Sequence, residues 1–204
     1  MKRTPRSEEK GFQELDVNPV TADHWSDLEK LFGEKGACGG CWCMWMRLTR
    51  SEFQKLKGEG NKEAMRTIVR AGEVPGLLAY DGGEPVAWCS VAPREQFPVL
   101  DRSRILKPID DTPVWSVVCF FVERSHRNRG ITVQLLNGAK DYVRRQGGGA
   151  IEGYPVEPKR DRIPPPFAWT GIAAAFRRAG FTESLRRSDT RPIMRFYLND
   201  EESR

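Results

Sequence analysis

Apolar residues recur along this chain at two spacings, and the changes between them mark its elements. An alternating stretch at Phe12–Val17, with Phe12, Leu15 and Val17 apolar, predicts a first strand. Trp25, Leu28, Leu31 and Phe32 then fall at helical spacing, predicting a helix over 22–32 that Thr21 caps and Gly33 stops. A short helix is predicted near Ser51, with Phe53 and Leu56 inward. A further one follows from Asn61 as N-cap, with Ala64, Met65, Ile68 and Val69 as its stripe. Two apolar runs flank Asp81-Gly82-Gly83, whose residues accept positive φ, and so predict a hairpin over 76–92. Residues 93–113 read as a long polar connection. A β-rich run at 114–122 leads through a basic loop into a helix from about Gly130 to Arg145, which buries Ile131, Leu135, Leu136, Ala139 and Val143 and ends at Gly147-Gly148-Gly149. A strand at 150–156, a loop holding Pro164-Pro165-Pro166, a helix from Thr170 to Ala179 and strands at 181–185 and 192–198 complete the order.

The junction at 122–132 carries the most chemistry. A helix N-terminus presents unpaired N–H groups and the positive end of its dipole. Here Arg127, Arg129 and Gly130 stand just before that end, so the expected ligand carries a pyrophosphate. Gly130 lets backbone approach phosphate without a Cβ. Successive N–H groups from Asn128 through Ile131 to Thr132 can turn toward the same oxygens.

Composition sets bounds on this. The 204 residues have a formal charge of +5 and a pI near 9.0. That suits an anionic ligand, and with acidic and basic residues mixed along the chain it gives little support to a nucleic-acid binder. No linker divides the chain, so residues 1–10 read as a disordered tail and 11–200 as one domain. No run approaches the ~18 apolar residues of a membrane span. Five cysteines without a leader segment predict a reduced, cytoplasmic protein without disulfides.

With these residues in view, the chain resembles the GNAT superfamily of acetyl-CoA-dependent N-acyltransferases. Arg127-Asn128-Arg129-Gly130-Ile131-Thr132 is similar to the family's Gln/Arg-x-x-Gly-x-Gly/Ala loop, with Thr132 replacing the last small residue. Phe176-Arg177-Arg178-Ala179-Gly180-Phe181 is similar to its aromatic-x-x-x-Gly-Phe helix ending. The resemblance implies an α/β fold with a mixed, mostly antiparallel sheet of about six to seven strands flanked by helices. It implies acetyl-CoA or another acyl-CoA as co-substrate, a small-molecule or peptide amine as acceptor, no metal, and a monomer or homodimer. It also implies that Phe120, Phe121 and Val122 pair by backbone with the pantetheine arm, with the Val122 N–H on the thioester oxygen.

Catalytic groups are harder to assign. Many relatives carry a Tyr acid where this chain has Phe176, which donates no proton. Tyr154 is the nearest substitute, and Glu152, two residues earlier on the same strand face, is a candidate base. A packed aromatic and an ordinary strand charge remain open as the alternative for this pair. Glu123 is a further base, pointing to solvent. A non-catalytic acyl-CoA sensor is the competing function.

Cys38-Gly39-Gly40-Cys41-Trp42-Cys43 offers three soft ligands but lacks a second cysteine pair. Metal binding, redox sensing and plain packing are all open for it. The resemblance places this segment beside the acceptor site, so Trp42 and Trp45, with Met44 and Met46, are expected to form an aromatic acceptor wall. Alternatively, these side chains cover the core.

Overall fold

A computed structural model describes residues 14–158 and 168–198. The expected tail at 1–10 and the Pro164-Pro165-Pro166 loop lie outside the described residues. Strand β1 (Asp16–Pro19) begins later than expected. Helix α1 (Trp25–Phe32) is preceded by a 3-10 turn at Ala22–His24, and the Thr21 hydroxyl bonds His24 Nδ1 at 3.0 Å instead of a backbone N–H. Helices α2 (Arg50–Lys55) and α3 (Glu59–Arg70) follow, then the hairpin β2 (Gly76–Asp81) and β3 (Glu84–Pro93). Its turn is Gly82-Gly83, at φ +57° and +86°, a conformation glycine adopts without Cβ strain. The remaining elements are α4 (Pro98–Arg102), β4 (Trp115–Val122), α5 (Ile131–Arg145), β5 (Ala150–Gly153), α6 (Ala173–Arg178), β6 (Thr182–Arg186) and β7 (Pro192–Tyr197).

The strands form one seven-stranded sheet in the order β1-β2-β3-β4-β5-β7-β6, antiparallel except for β4 on β5. Period-two alternation divides the core. Leu77 and Ala79 join the core that includes α5 and α6, while Leu78 and Tyr80 join the core that includes α1 and α3. The parallel pairing of β4 with β5 lasts three residue pairs, ending at Val117↔Gly153. Beyond it the two strands diverge. On the other side of β4, the register with β3 steps from Val91↔Val117 to Ser90↔Cys119. Val118 is therefore the extra residue of a bulge, and Val118 and Cys119 pack on the same face of the sheet.

Three local expectations are corrected. Asn61 does not cap α3, whose N-cap is Gly58. Asn61 is fully buried and its Nδ2 donates to the Gly40 carbonyl at 3.0 Å. Thr170 does not cap α6, whose N-cap is Ile172. The Thr170 hydroxyl accepts from Arg191 Nη1 at 2.9 Å. The 93–113 connection is not simply polar, because it contains α4 and fully buries Phe97 and Leu100. Two arginines from the far end of the chain hold this connection. Arg187 donates to the Lys107 and Pro108 carbonyls at 2.6 and 2.9 Å, and Arg195 grips Asp110 with Nη1 and Nη2 at 2.8 and 3.0 Å.

Candidate active site

A cavity of about 880 Å³ opens where β4 leaves β5. Its first wall is the loop into α5. Asn128 at φ +63° and Gly130 at φ +75° turn the backbone through the left-handed region, and Gly130 becomes the N-cap of the 15-residue α5. Arg127, Asn128, Gly130, Ile131 and Thr132 line the cavity. Arg129 is exposed and lies outside the wall. Arg127 Nε donates to the Val122 carbonyl at 3.0 Å, which ties the loop to the end of β4. His126 also lines the cavity, and both its ring nitrogens are engaged. Nδ1 is 3.0 Å from Glu123 Oε2 and 2.8 Å from Ser125 Oγ, and Nε2 is 3.2 Å from Asp81 Oδ2.

The second wall is the end of β4 beyond its pairing with β5, where Phe120, Phe121 and Val122 all line the cavity. Glu123 N–H donates to Val86 across β3. By antiparallel alternation, the N–H groups of Phe120 and Val122 therefore point the other way, toward the opening. The Phe120 N–H donates to the Trp169 carbonyl at 2.6 Å.

The third wall is the cysteine segment. Ala37, Trp42 and Cys43 all hold positive φ, so the chain here coils tightly on itself. Cys38, Cys41, Cys43, Trp45, Met46 and Phe53 reach the cavity. Trp45 is 38% exposed and meets Phe53 edge-on at 5.0 Å. Trp42 does not line the cavity. It is buried, stacked on Trp25 at 6.0 Å and tilted against Phe32 at 5.4 Å. Gly36 leaves room for its indole, since a Cβ there would lie 2.2 Å from Trp42 Nε1. Trp42 and the buried Met44 are core residues, so of the four side chains expected there only Trp45 and Met46 reach the cavity.

Tyr154 and Glu152 come together as their strand spacing suggested, but neither lines the cavity. The Tyr154 hydroxyl donates to Glu152 Oε2 at 3.0 Å and lies 2.6 Å from Arg94 Nη1 and 2.9 Å from Ser116 Oγ. With one proton and two lone pairs, that oxygen is saturated. Glu152 Oε1 accepts from Arg195 Nε and Nη2 at 3.0 and 2.6 Å. Tyr154, Glu152 and Arg195 are at most 2% exposed. Burial, then the Glu152 charge, push the Tyr154 hydroxyl well above the ordinary tyrosine range. Phe176 is buried against Phe120 and Phe181, at 6.0 and 5.2 Å.

Cys119, which lies in a core strand, meets the cysteine segment. Its Sγ lies 2.9 Å from Cys43 Sγ, which also accepts from Trp88 Nε1 at 3.2 Å. Contact with Cys119 and burial push the Cys43 thiol up; contact with Cys43 and burial do the same to Cys41. Among the described residues, no group of three His, Cys, Asp or Glu side chains could hold a metal ion.

A family model described as the acetyltransferase (GNAT) family matches residues 42–158, more than half of the chain. The chain belongs to the GNAT acetyltransferase family. Solved GNAT-type structures share its fold at low identity. An acetyltransferase of the GNAT family from Listeria monocytogenes is 10% identical, with 90% of this chain and 94% of that one covered and a TM-score of 0.54. The ribosomal-protein-S5-alanine acetyltransferase from Vibrio fischeri is 12% identical over 92% and 95%, at 0.53. The PaiA N-acetyltransferase from Thermoplasma acidophilum, solved in complex with coenzyme A, is 13% identical over 91% and 99%, at 0.50. No curated protein sequence matches the chain. Among the described residues, no helix is long and apolar enough to cross a membrane.

Proposed function

We propose that this chain transfers the acetyl group of acetyl-CoA to a primary amine, of a small molecule or a peptide, by direct attack. The N–H groups around Asn128–Thr132, with Arg127, hold the diphosphate. The pantetheine arm runs along Phe120–Val122, and the Val122 N–H stabilises the thioester oxygen as it gains charge. The acceptor enters past Trp45. The amine nitrogen bonds the carbonyl carbon, the C–S bond breaks, and the proton lost from nitrogen ends on the CoA sulfur through water in the cavity. Tyr154 and Glu152 are positioning residues in this reading. They tie the end of β3 (through Arg94), β4 (through Ser116) and β5 together beside the splay.

One observation carries the reading. A single cavity joins a helix N-terminus with its Arg127 to the outward edge of β4 and then to a thiol- and aromatic-lined wall. Calorimetry with coenzyme A and acetyl-CoA, followed by thiol release over a panel of amines, tests it. Binding with turnover supports it, and absence of binding overturns it. Binding without turnover over the whole panel favours an acyl-CoA sensor, a second reading that rests on Phe176 and the saturated Tyr154 hydroxyl.

A further inference from the structure

The acyl-transfer reading leaves the cysteines unused. Two local distortions, 76 residues apart in sequence, bring Cys43 and Cys119 together. Cys43 sits at φ +54° on the coiled segment, and the bulge at Val118 turns Cys119 onto the same face. Their sulfurs touch at 2.9 Å, so closing to the ~2.05 Å of a disulfide takes a movement of less than about 1 Å. Trp88 Nε1 holds the Cys43 sulfur in place and can keep that bond once the sulfur is oxidised. Both residues line the cavity, which gives a small oxidant a path to otherwise buried thiols. Cys89, also fully buried, packs on the opposite face of the sheet.

We propose that Cys43 and Cys119 are an oxidisable pair that forms a reversible disulfide on exposure to a peroxide. The Sγ–Sγ bond forms and both S–H bonds break. The peroxide accepts two electrons and two protons, and its O–O bond breaks, giving two waters from hydrogen peroxide or a water and an alcohol from an organic hydroperoxide. A small thiol reverses the step by exchange. The bond fastens the acceptor wall to β4 at the residue before Phe120.

The test uses the full chain, fully reduced, freed of reductant, then treated with hydrogen peroxide and alkylated. Intact mass is expected to fall by two hydrogens before alkylation, and two of the five thiols become unreactive. Peptide mapping links the segment holding Cys43 to that holding Cys119, and dithiothreitol restores all the thiols. A Cys38→Ser/Cys41→Ser double variant leaves Cys43 as the only cysteine of its segment, assigns the bond without touching the buried pair, and is expected to cross-link as the wild type does. Cys43→Ser is expected to lose the link. Five alkylated thiols after peroxide, a link made through Cys38, Cys41 or Cys89, or a sulfinic acid in place of a cross-link would each overturn the proposal. None of these readouts involves acetyl-CoA, so failure here leaves the transferase reading standing.

Discussion

The assignment of Glu152 can be tested by removing its charge while keeping its size. Its carboxylate holds Arg195 through two bonds, accepts the Tyr154 hydroxyl and lies 3.5 Å from Arg94 Nη1. In Glu152→Gln, both buried guanidiniums lose that charge. Arg195 keeps the Tyr197 hydroxyl and Asp110, and Arg94 keeps Asp101; the two carboxylate side chains are 44% and 56% exposed. Breaking a buried pair by removing one partner costs about 3–5 kcal/mol. The surviving outer carboxylates place this case near the lower end, at about 3 kcal/mol. For a domain of this size each kcal/mol moves the thermal midpoint by ~2–4 °C, so a fall of ~6–12 °C is expected. Urea unfolding followed by tryptophan fluorescence, alongside thermal melts at neutral pH, measures it. A loss under ~1 kcal/mol would refute the reasoning, because the network would then carry no stability. The kinetics separate the two roles for this residue. A catalytic base would lose kcat at unchanged stability, whereas a positioning residue loses stability first. Tyr154→Phe removes the shared oxygen and is expected to cost about 1–3 kcal/mol, with a smaller effect on turnover than loss of a true acid would produce.

Gly130→Glu places a side chain at φ +75° and a negative charge in the phosphate loop, so it is expected to abolish the calorimetric signal with coenzyme A; unchanged affinity would refute the loop assignment. Trp45→Ala removes a partly exposed ring, and the expected result is a raised acceptor KM with the acetyl-CoA KM within about two-fold and little change in melting. Hydrogen bonds from Arg195 hold the Asp110 carboxyl well below its ordinary range. A depressed carboxylate stabilises the fold above its unfolded pKa, and that contribution is lost as pH falls toward the folded value. Melts of wild type and Asp110→Asn should therefore diverge above about pH 4 and converge as the pH drops from about 4 toward 2. Parallel curves would exclude the linkage.

The parts of this chain that read correctly from sequence are those whose signal is local. Gly82-Gly83 fixes its hairpin by backbone conformation alone, and the apolar spacing from Ile131 to Val143 specifies the buried face of α5. The turn into α5 is legible because a glycine stands immediately before an apolar helical stripe, and Gly130 is the left-handed N-cap of that helix. What escaped depends on partners distant in sequence. Asn61 looks like a cap until Gly40 supplies its acceptor, and Trp42 looks like a site residue until Trp25 and Phe32 enclose it. Tyr154 shares a face with Glu152, as alternation requires, but alternation does not reveal that Arg94 and Ser116 complete its coordination. The bulge that sends Cys119 toward Cys43 leaves no mark in a run of Val, Val, Cys and Phe.

The clasp on the 93–113 connection has a consequence for how the protein is made. Lys107 and Asp110 leave the ribosome 80 and 85 residues ahead of Arg187 and Arg195, which hold them. These two holds on the middle of the nascent chain therefore close only after its last two strands emerge. A product released at residue 158, where the family match ends, would lack both arginines and the strand that pairs with β5.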